Sequence, residues 1–192
     1  MGDCRGVADR GRIPIPRCAD RSKNEARELM QIDLERFASW VQPEDILIDV
    51  EVRNATHALG LIADAAAQRH GLEPDPVFRA LARREAAGST GVGGGFAIPH
   101  AKIVGLAHPL TVLLRPTQAI PFRAPDGAPV SLMLAILVPF DGDKDTHLKL
   151  LALVAELFSN ATFRSEIEAA KDTAAIAAAF RAKVASLTNA GA

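Results

Sequence analysis

From residue 30 onward, apolar and polar positions alternate in patterns that predict short strands interleaved with helices. Ile32 to Val41 is a short amphipathic segment closed by Pro43. Ile46 to Val52 alternates partly and is rich in β-branched residues, which predicts a strand. Asn54 or Thr56 can cap a helix running to about His70, with Leu59, Ile62, Ala63 and Ala66 on one face and Gly71 as its stop. Asp75-Pro76 predicts the start of a second helix with proline at its first position, followed by Val77, Leu81 and Arg84 at helical spacing. Gly88 to Gly95 is a loop with five glycines. Phe96 to Ile98 and Leu110 to Leu114 read as strands, and Ala124-Pro125-Asp126-Gly127 as a turn. Val130 to Val138 is apolar apart from Ser131, the pattern of a central strand buried on both faces. Asp143 to Asp145 offer caps for a helix from Thr146 to about Phe158, and two further helices fall near residues 162–170 and 173–186. The sum is an α/β fold, a mixed β-sheet flanked by helices.

Composition sets off the first 29 residues. They hold both cysteines, Cys4 and Cys18, seven Lys/Arg against five Asp/Glu, and no apolar period. They read as a poorly ordered basic tail or a start-site extension, with one domain over residues 30–192. The whole chain of 192 residues has a formal charge of −1, which argues against a clamp for nucleic acid, since such domains carry a basic excess. No apolar run exceeds seven residues, the length of Leu132 to Val138, against roughly 20 for a membrane span. No signal-peptide core is present and two cysteines make no disulfide framework. A soluble cytoplasmic protein is expected.

Five histidines are the candidate chemistry. His57 and His70 sit at the ends of a surface helix, and His108 precedes Pro109 in a connection; all three read as ordinary surface residues. His100 follows the glycine run and a short apolar segment ending in Pro99. Gly93, Gly94 and Gly95 could let backbone N–H groups approach an anion, with Ser89 and Thr90 as hydroxyl donors; equally, the run could be a flexible linker followed by an incidental histidine. His147 opens a helix at the edge of the core, either as a cap-region histidine bonded to a carbonyl or as a neutral partner for an anion or a second histidine. Arg84 closes the helix before the glycine loop and offers a planar fork for phosphate oxygens. Two imidazoles and a guanidinium are what phosphoryl transfer through histidine needs. The set requires no metal: with no cysteine beyond residue 29, a zinc site would have to draw on His and carboxylates. No cofactor is implied.

Arg84 through His100 (Arg-Glu-Ala-Ala-Gly-Ser-Thr-Gly-Val-Gly-Gly-Gly-Phe-Ala-Ile-Pro-His) resembles the signature of the IIA domains of the phosphoenolpyruvate-dependent phosphotransferase system, fructose/mannitol class (EIIA type 2), and most resembles its nitrogen-related branch. Ala124 to Val130 is similar to the family's Ala-x-Asp-x-x-Pro-Val turn, and Pro139 through Leu148, with Leu151 and Ala152, to the segment holding its second histidine. Three ordered blocks carry the similarity, which runs from about Ile32 to Phe180. The resemblance implies that His100 is phosphorylated through Nε2 by an HPr-like phosphocarrier, that His147 is the second active-site histidine and that Arg84 is the family arginine. Gly94 stands where the branch often has Asn. An apolar collar of Val92, Phe96, Ile98, Pro99 and Leu148 is expected to dock partners transiently. Three functions follow from the resemblance: a phosphoryl-carrying regulator of target proteins; a sugar-specific IIA passing phosphate to a cysteine of an EIIB domain; or a binding module that has lost transfer, against which the intact His100, His147 and Arg84 argue.

Overall fold

The computed structural model describes residues 34–190. The expected tail lies outside the described residues. In chain order the elements are α1 (Leu34–Trp40), a 3-10 turn (Pro43–Asp45), β1 (Ile46–Val50), α2 (Ala55–His70), α3 (Pro74–Ala86), β2 (Gly91–Gly93), β3 (Phe96–Ala97), β4 (His100–Ile103), β5 (Leu110–Pro116), β6 (Leu132–Pro139), α4 (Lys144–Ser159), α5 (Ala161–Ala169) and α6 (Thr173–Ala190). The six strands form one mixed sheet in the order β1-β5-β6-β3-β2, with β4 also paired to β6. β5 runs antiparallel to β6, while β3 and β4 lie one after the other, parallel, along its opposite edge.

The apolar run that marked β6 is buried on both faces, and its alternation sorts the core into two layers. Leu132, Leu134, Ile136 and Val138 pack with Phe37 of α1, Leu150 and Val154 of α4, Phe163 of α5 and Phe180 of α6. Met133, Ala135 and Leu137 pack with Leu59, Ile62 and Ala66 of α2 and Val77 and Leu81 of α3. Successive strand side chains point to opposite faces, so one strand organises both layers.

Local chemistry explains most boundaries. The Asn54 side chain accepts from the His57 N–H, and Gly71 ends α2 at φ +66°. The expected start of α3 is off by two residues: Pro74 takes the first position, with Glu73 before it. The loop expected over residues 88–95 contains β2, and the strand expected over residues 96–98 stops at Ala97. The short β4 was not expected.

One buried charge ties α5 to the sheet. Arg115 of β5 is 9 % exposed. It donates to the carbonyls of Ile167, Glu168 and Ala170, which close the C-terminal end of α5, and pairs with Asp49 at 3.2 Å. The guanidinium meets the negative end of a helix and the carbonyls left without intrahelical partners. Arg115→Ala leaves those acceptors inside without donors. It is expected to lower unfolding free energy by about 3 kcal/mol, read as a fall in urea midpoint at unchanged slope; an unmoved midpoint would show that the network contributes nothing.

Candidate functional site

β4 places His100 at the edge of the sheet. Ala101 and Ile103 point into the layer below α2 and α3, so His100 and Lys102 point to the other face, toward the start of α4. Among the described residues β4 pairs only with β6, leaving its outer edge open. Arg84, in the last turn of α3, reaches His100 past that edge.

Both ring nitrogens of His100 have partners, and these fix the tautomer. Nδ1 lies 2.8 Å from the Ile98 carbonyl, which can only accept. Arg84 Nε–H donates to Nε2 at 2.9 Å, and that N–H can only donate. Nδ1 therefore carries the proton and Nε2 a lone pair. A second guanidinium nitrogen of Arg84 donates to the Gly88 carbonyl at 2.7 Å, holding the arginine against the turn that follows α3.

His147 meets His100 from α4, with ring centroids 5.3 Å apart and planes at 53°. Its backbone N–H bonds the Asp143 carbonyl, which places the ring in the first turn. Its Nδ1 is buried and has no hydrogen-bond partner. Lys102, two residues along the strand from His100, donates to the Gly142 carbonyl at 3.2 Å. Burial, foremost, lowers the pKa of both histidines below the ordinary imidazole value. At His100 the Ile98 bond opposes this, the Arg84 charge adds to it, and the Glu85 charge opposes it. At His147 the neighbouring His100, Lys102 and Arg84 all add to it. The site is a pair of neutral imidazoles beside two cations.

The glycine run does something other than cradle an anion. Gly95 lies opposite Ser131 and Leu132, whose N–H groups donate to its carbonyl, whereas His100 pairs with Ile136. About five residues of extended strand, roughly 16 Å, separate them. Gly93, Gly94 and Gly95 therefore sit beyond reach of a group on His100, and the Gly94 N–H is already given to Asp126. The glycines close the β2–β3 hairpin, with positive φ at all three. Asp126, in the turn Ala124–Gly127, receives the N–H groups of Gly94 and Ala128, which hold its carboxyl below the usual range. The Gly94 conformation, φ +60°, is one that Asn also tolerates. Thr90 meets the chain two residues before His100, its carbonyl accepting from the Ile98 N–H, but the hydroxyls of Ser89 and Thr90 are committed: Ser89 to the Phe122 carbonyl and Thr90 to Glu85.

The docking collar needs a similar correction. Phe96, Ile98 and Pro99 are buried. Phe96 stacks on Phe158 of α4 at 3.7 Å between ring centres, and Ile98 lies in the same layer; both are core residues. Val92 and Leu148 are exposed, and so are Val104 and Phe140. Phe140 donates its N–H to the Ile103 carbonyl, next to Val104. Lys102, Val104 and Phe140 had not been singled out; the spacing of Lys102 from His100 would have placed it on the same face had β4 been recognised.

A small α/β domain that holds two neutral imidazoles and two cations at an open sheet edge is equipped to meet a phosphoryl group. The family described as phosphoenolpyruvate-dependent sugar phosphotransferase system, EIIA 2, matches residues 39–183, and the chain belongs to it. The nitrogen regulatory protein of Bradyrhizobium diazoefficiens is 37% identical over 136 residues, covering 71% of this chain and 88% of that one. That of Escherichia coli K12 is 39% identical over 123 residues, 64% of this chain and 75% of its own. The crystal structure of nitrogen regulatory protein IIA-Ntr from Neisseria meningitidis superposes with a TM-score of 0.71 at 29% identity, over 75% of this chain and 98% of that one. IIA mannitol from Escherichia coli, at 13% identity and a TM-score of 0.61, shares the fold. Among the described residues no helix is long and apolar enough to cross a membrane.

Both histidines are expected to titrate below 6.5, the ordinary value, as followed by ring-proton shifts. Between 6.5 and those lower values the unfolded chain binds protons that the folded one refuses. Their contribution is thus complete above pH 6.5 and is lost as pH falls through the folded values. A melting temperature that rose on acidification through this window would contradict the assignment.

Proposed function

We propose that this protein is a phosphoryl carrier of the phosphotransferase system, phosphorylated on His100 Nε2 by the phosphohistidine of an HPr-like carrier, and that it regulates partner proteins in the cytoplasm by its phosphorylation state. The observation that carries the reading is the His100 tautomer: Nδ1–H on the Ile98 carbonyl and an unprotonated Nε2 toward Arg84. The regulatory branch is favoured by the names of the relatives at 37% and 39% identity.

The step balances without an added acid or base. The Nε2 lone pair attacks phosphorus in line. The P–N bond to the donor histidine breaks, and its electron pair stays on the departing imidazole. The Nδ1 proton of His100 remains in place, and the positive charge that develops on the ring is met by the Ile98 carbonyl. As phosphorus arrives, Arg84 exchanges Nε2 for phosphoryl oxygens. Lys102 adds a second positive charge, and His147 offers an imidazole beside the new group. Charge spread over the three equatorial oxygens is what such donors stabilise. Val104 and Phe140, beyond the end of β4, and Leu148, next to His147, are exposed apolar side chains on which a carrier docks; the interface is modest because the carrier must leave. The new group brings close to two negative charges, which alters the surface offered to regulatory targets.

The test is incubation with phosphoenolpyruvate, the first phosphotransferase enzyme and an HPr-like carrier, followed by mapping of the phosphate. Label is expected on His100 and absent from His100→Ala. Arg84→Ala is expected to slow transfer on the order of a hundredfold with unaltered melting, and His147→Ala to slow transfer or shorten the lifetime of the phosphohistidine. Unlabelled wild type, or a labelled His100→Ala, overturns the reading. Rapid passage of the phosphate to the cysteine of a fructose or mannitol EIIB would favour sugar uptake over regulation.

A further inference from the structure

The tautomer of His100 depends on the Ile98 carbonyl oxygen, and that oxygen is positioned from outside the site. The peptide it belongs to ends in the Pro99 nitrogen, which has no hydrogen. That peptide plane cannot be pinned by a donor of its own. It is pinned on either side: the Pro99 carbonyl accepts from the Ile136 N–H at 2.8 Å, and the Ile98 N–H donates to the Thr90 carbonyl at 2.9 Å. Thr90 is 5 % exposed and its two donors converge on one atom. Its backbone N–H donates to Glu85 Oε2 at 2.9 Å and its hydroxyl to the same oxygen at 2.5 Å. Glu85 stands in the last turn of α3, next to Arg84, so the helix that aims the guanidinium at Nε2 also anchors the chain that holds Nδ1.

We propose that Glu85 is a positioning residue: acting through Thr90 and Ile98, it selects the Nδ1–H tautomer of His100 and keeps Nε2 free of a proton. The consequence for transfer rests on His100 being the phosphoryl acceptor; the consequence for the tautomer does not. Without the Glu85 bonds, Thr90 is free to shift and the Ile98 carbonyl loses its fixed direction; the Arg84 N–H is then left as the one bond that favours an unprotonated Nε2, and the population of the Nε2–H tautomer rises. The Nε2–H form then has no lone pair to offer phosphorus.

The experiment is nitrogen-15 NMR of the His100 ring in the unphosphorylated full chain, with phosphotransfer rates on the same samples. Wild type is expected to show Nδ1–H. Glu85→Ala is expected to raise the Nε2–H population severalfold and to slow transfer by on the order of ten- to a hundredfold. Glu85→Gln, whose amide oxygen accepts the same two bonds, is expected to restore the tautomer and most of the rate. A merely structural role would lower the melting temperature and leave the tautomer in place. A folded Glu85→Ala with the wild-type tautomer ratio overturns the proposal. If Glu85→Ala does not fold, Thr90→Val, which deletes only the hydroxyl bond, takes its place; a partial shift supports the proposal and an unmoved ratio sinks it. A protein that takes no phosphate at all refutes the carrier reading and leaves the tautomer comparison standing.

Discussion

Strand β6 is buried on both faces and hydrogen-bonded along both edges, and both histidines of the site take their positions from it. One edge is filled by β5. The other is shared by β3 and β4, with Ile98 and Pro99 between them. Pro99 cannot continue a ladder as a donor, so pairing pauses there and restarts at His100. That pause lets the chain present an imidazole at the edge, while Phe96 and Ile98, just before it, remain in the core. At its far end β6 runs through Pro139 to Asp143 straight into α4, which brings His147 over the same face. The histidines are 47 residues apart in the chain, and one strand brings them together.

The site is neutral by mutual pressure. Two imidazoles, a guanidinium and an ammonium share a partly dry edge, so a further proton on either ring is disfavoured by burial and then by charge. The Glu85 carboxylate opposes this at His100. The ring thus keeps an unprotonated Nε2, yet has the Ile98 carbonyl bonded to Nδ1 and the Glu85 charge acting on it, both of which favour positive charge on the imidazole. The cations are placed for the opposite charge, the one a phosphoryl group would bring.

Much of this was legible in the residues. The run Leu132 to Val138 identified the central strand because a strand covered on both faces has no polar face to alternate with. Asn54 and Gly71 bounded α2 because side-chain capping and left-handed backbone are local properties. Arg84, His100 and His147 lie together as the motif resemblance implied, although no periodicity could have joined residues so far apart in sequence. What failed was whatever depended on hydrogen-bond allegiance. Ser89, Thr90 and the Gly94 N–H looked like free donors because a sequence does not reveal that Phe122, Glu85 and Asp126 have already claimed them. Phe96, Ile98 and Pro99 read as a collar because they lie close to His100 in the chain; the pleat and α4 put them inside. β4, with two of its four residues polar, gave too little pattern to be read as a strand, and Lys102 was lost with it.

The proton on His100 Nδ1 has a consequence for how such a carrier is driven. If that proton stays in place throughout and the departing donor ring takes none up, the exchange between two histidines consumes and releases no hydrogen ion. Its equilibrium then has no first-order dependence on the acidity of the cell so long as both rings keep their protonation states. The fraction of protein carrying phosphate would follow the ratio of charged to uncharged donor and be shielded from metabolic acid. A carrier arranged in this way would report the supply of high-energy phosphate.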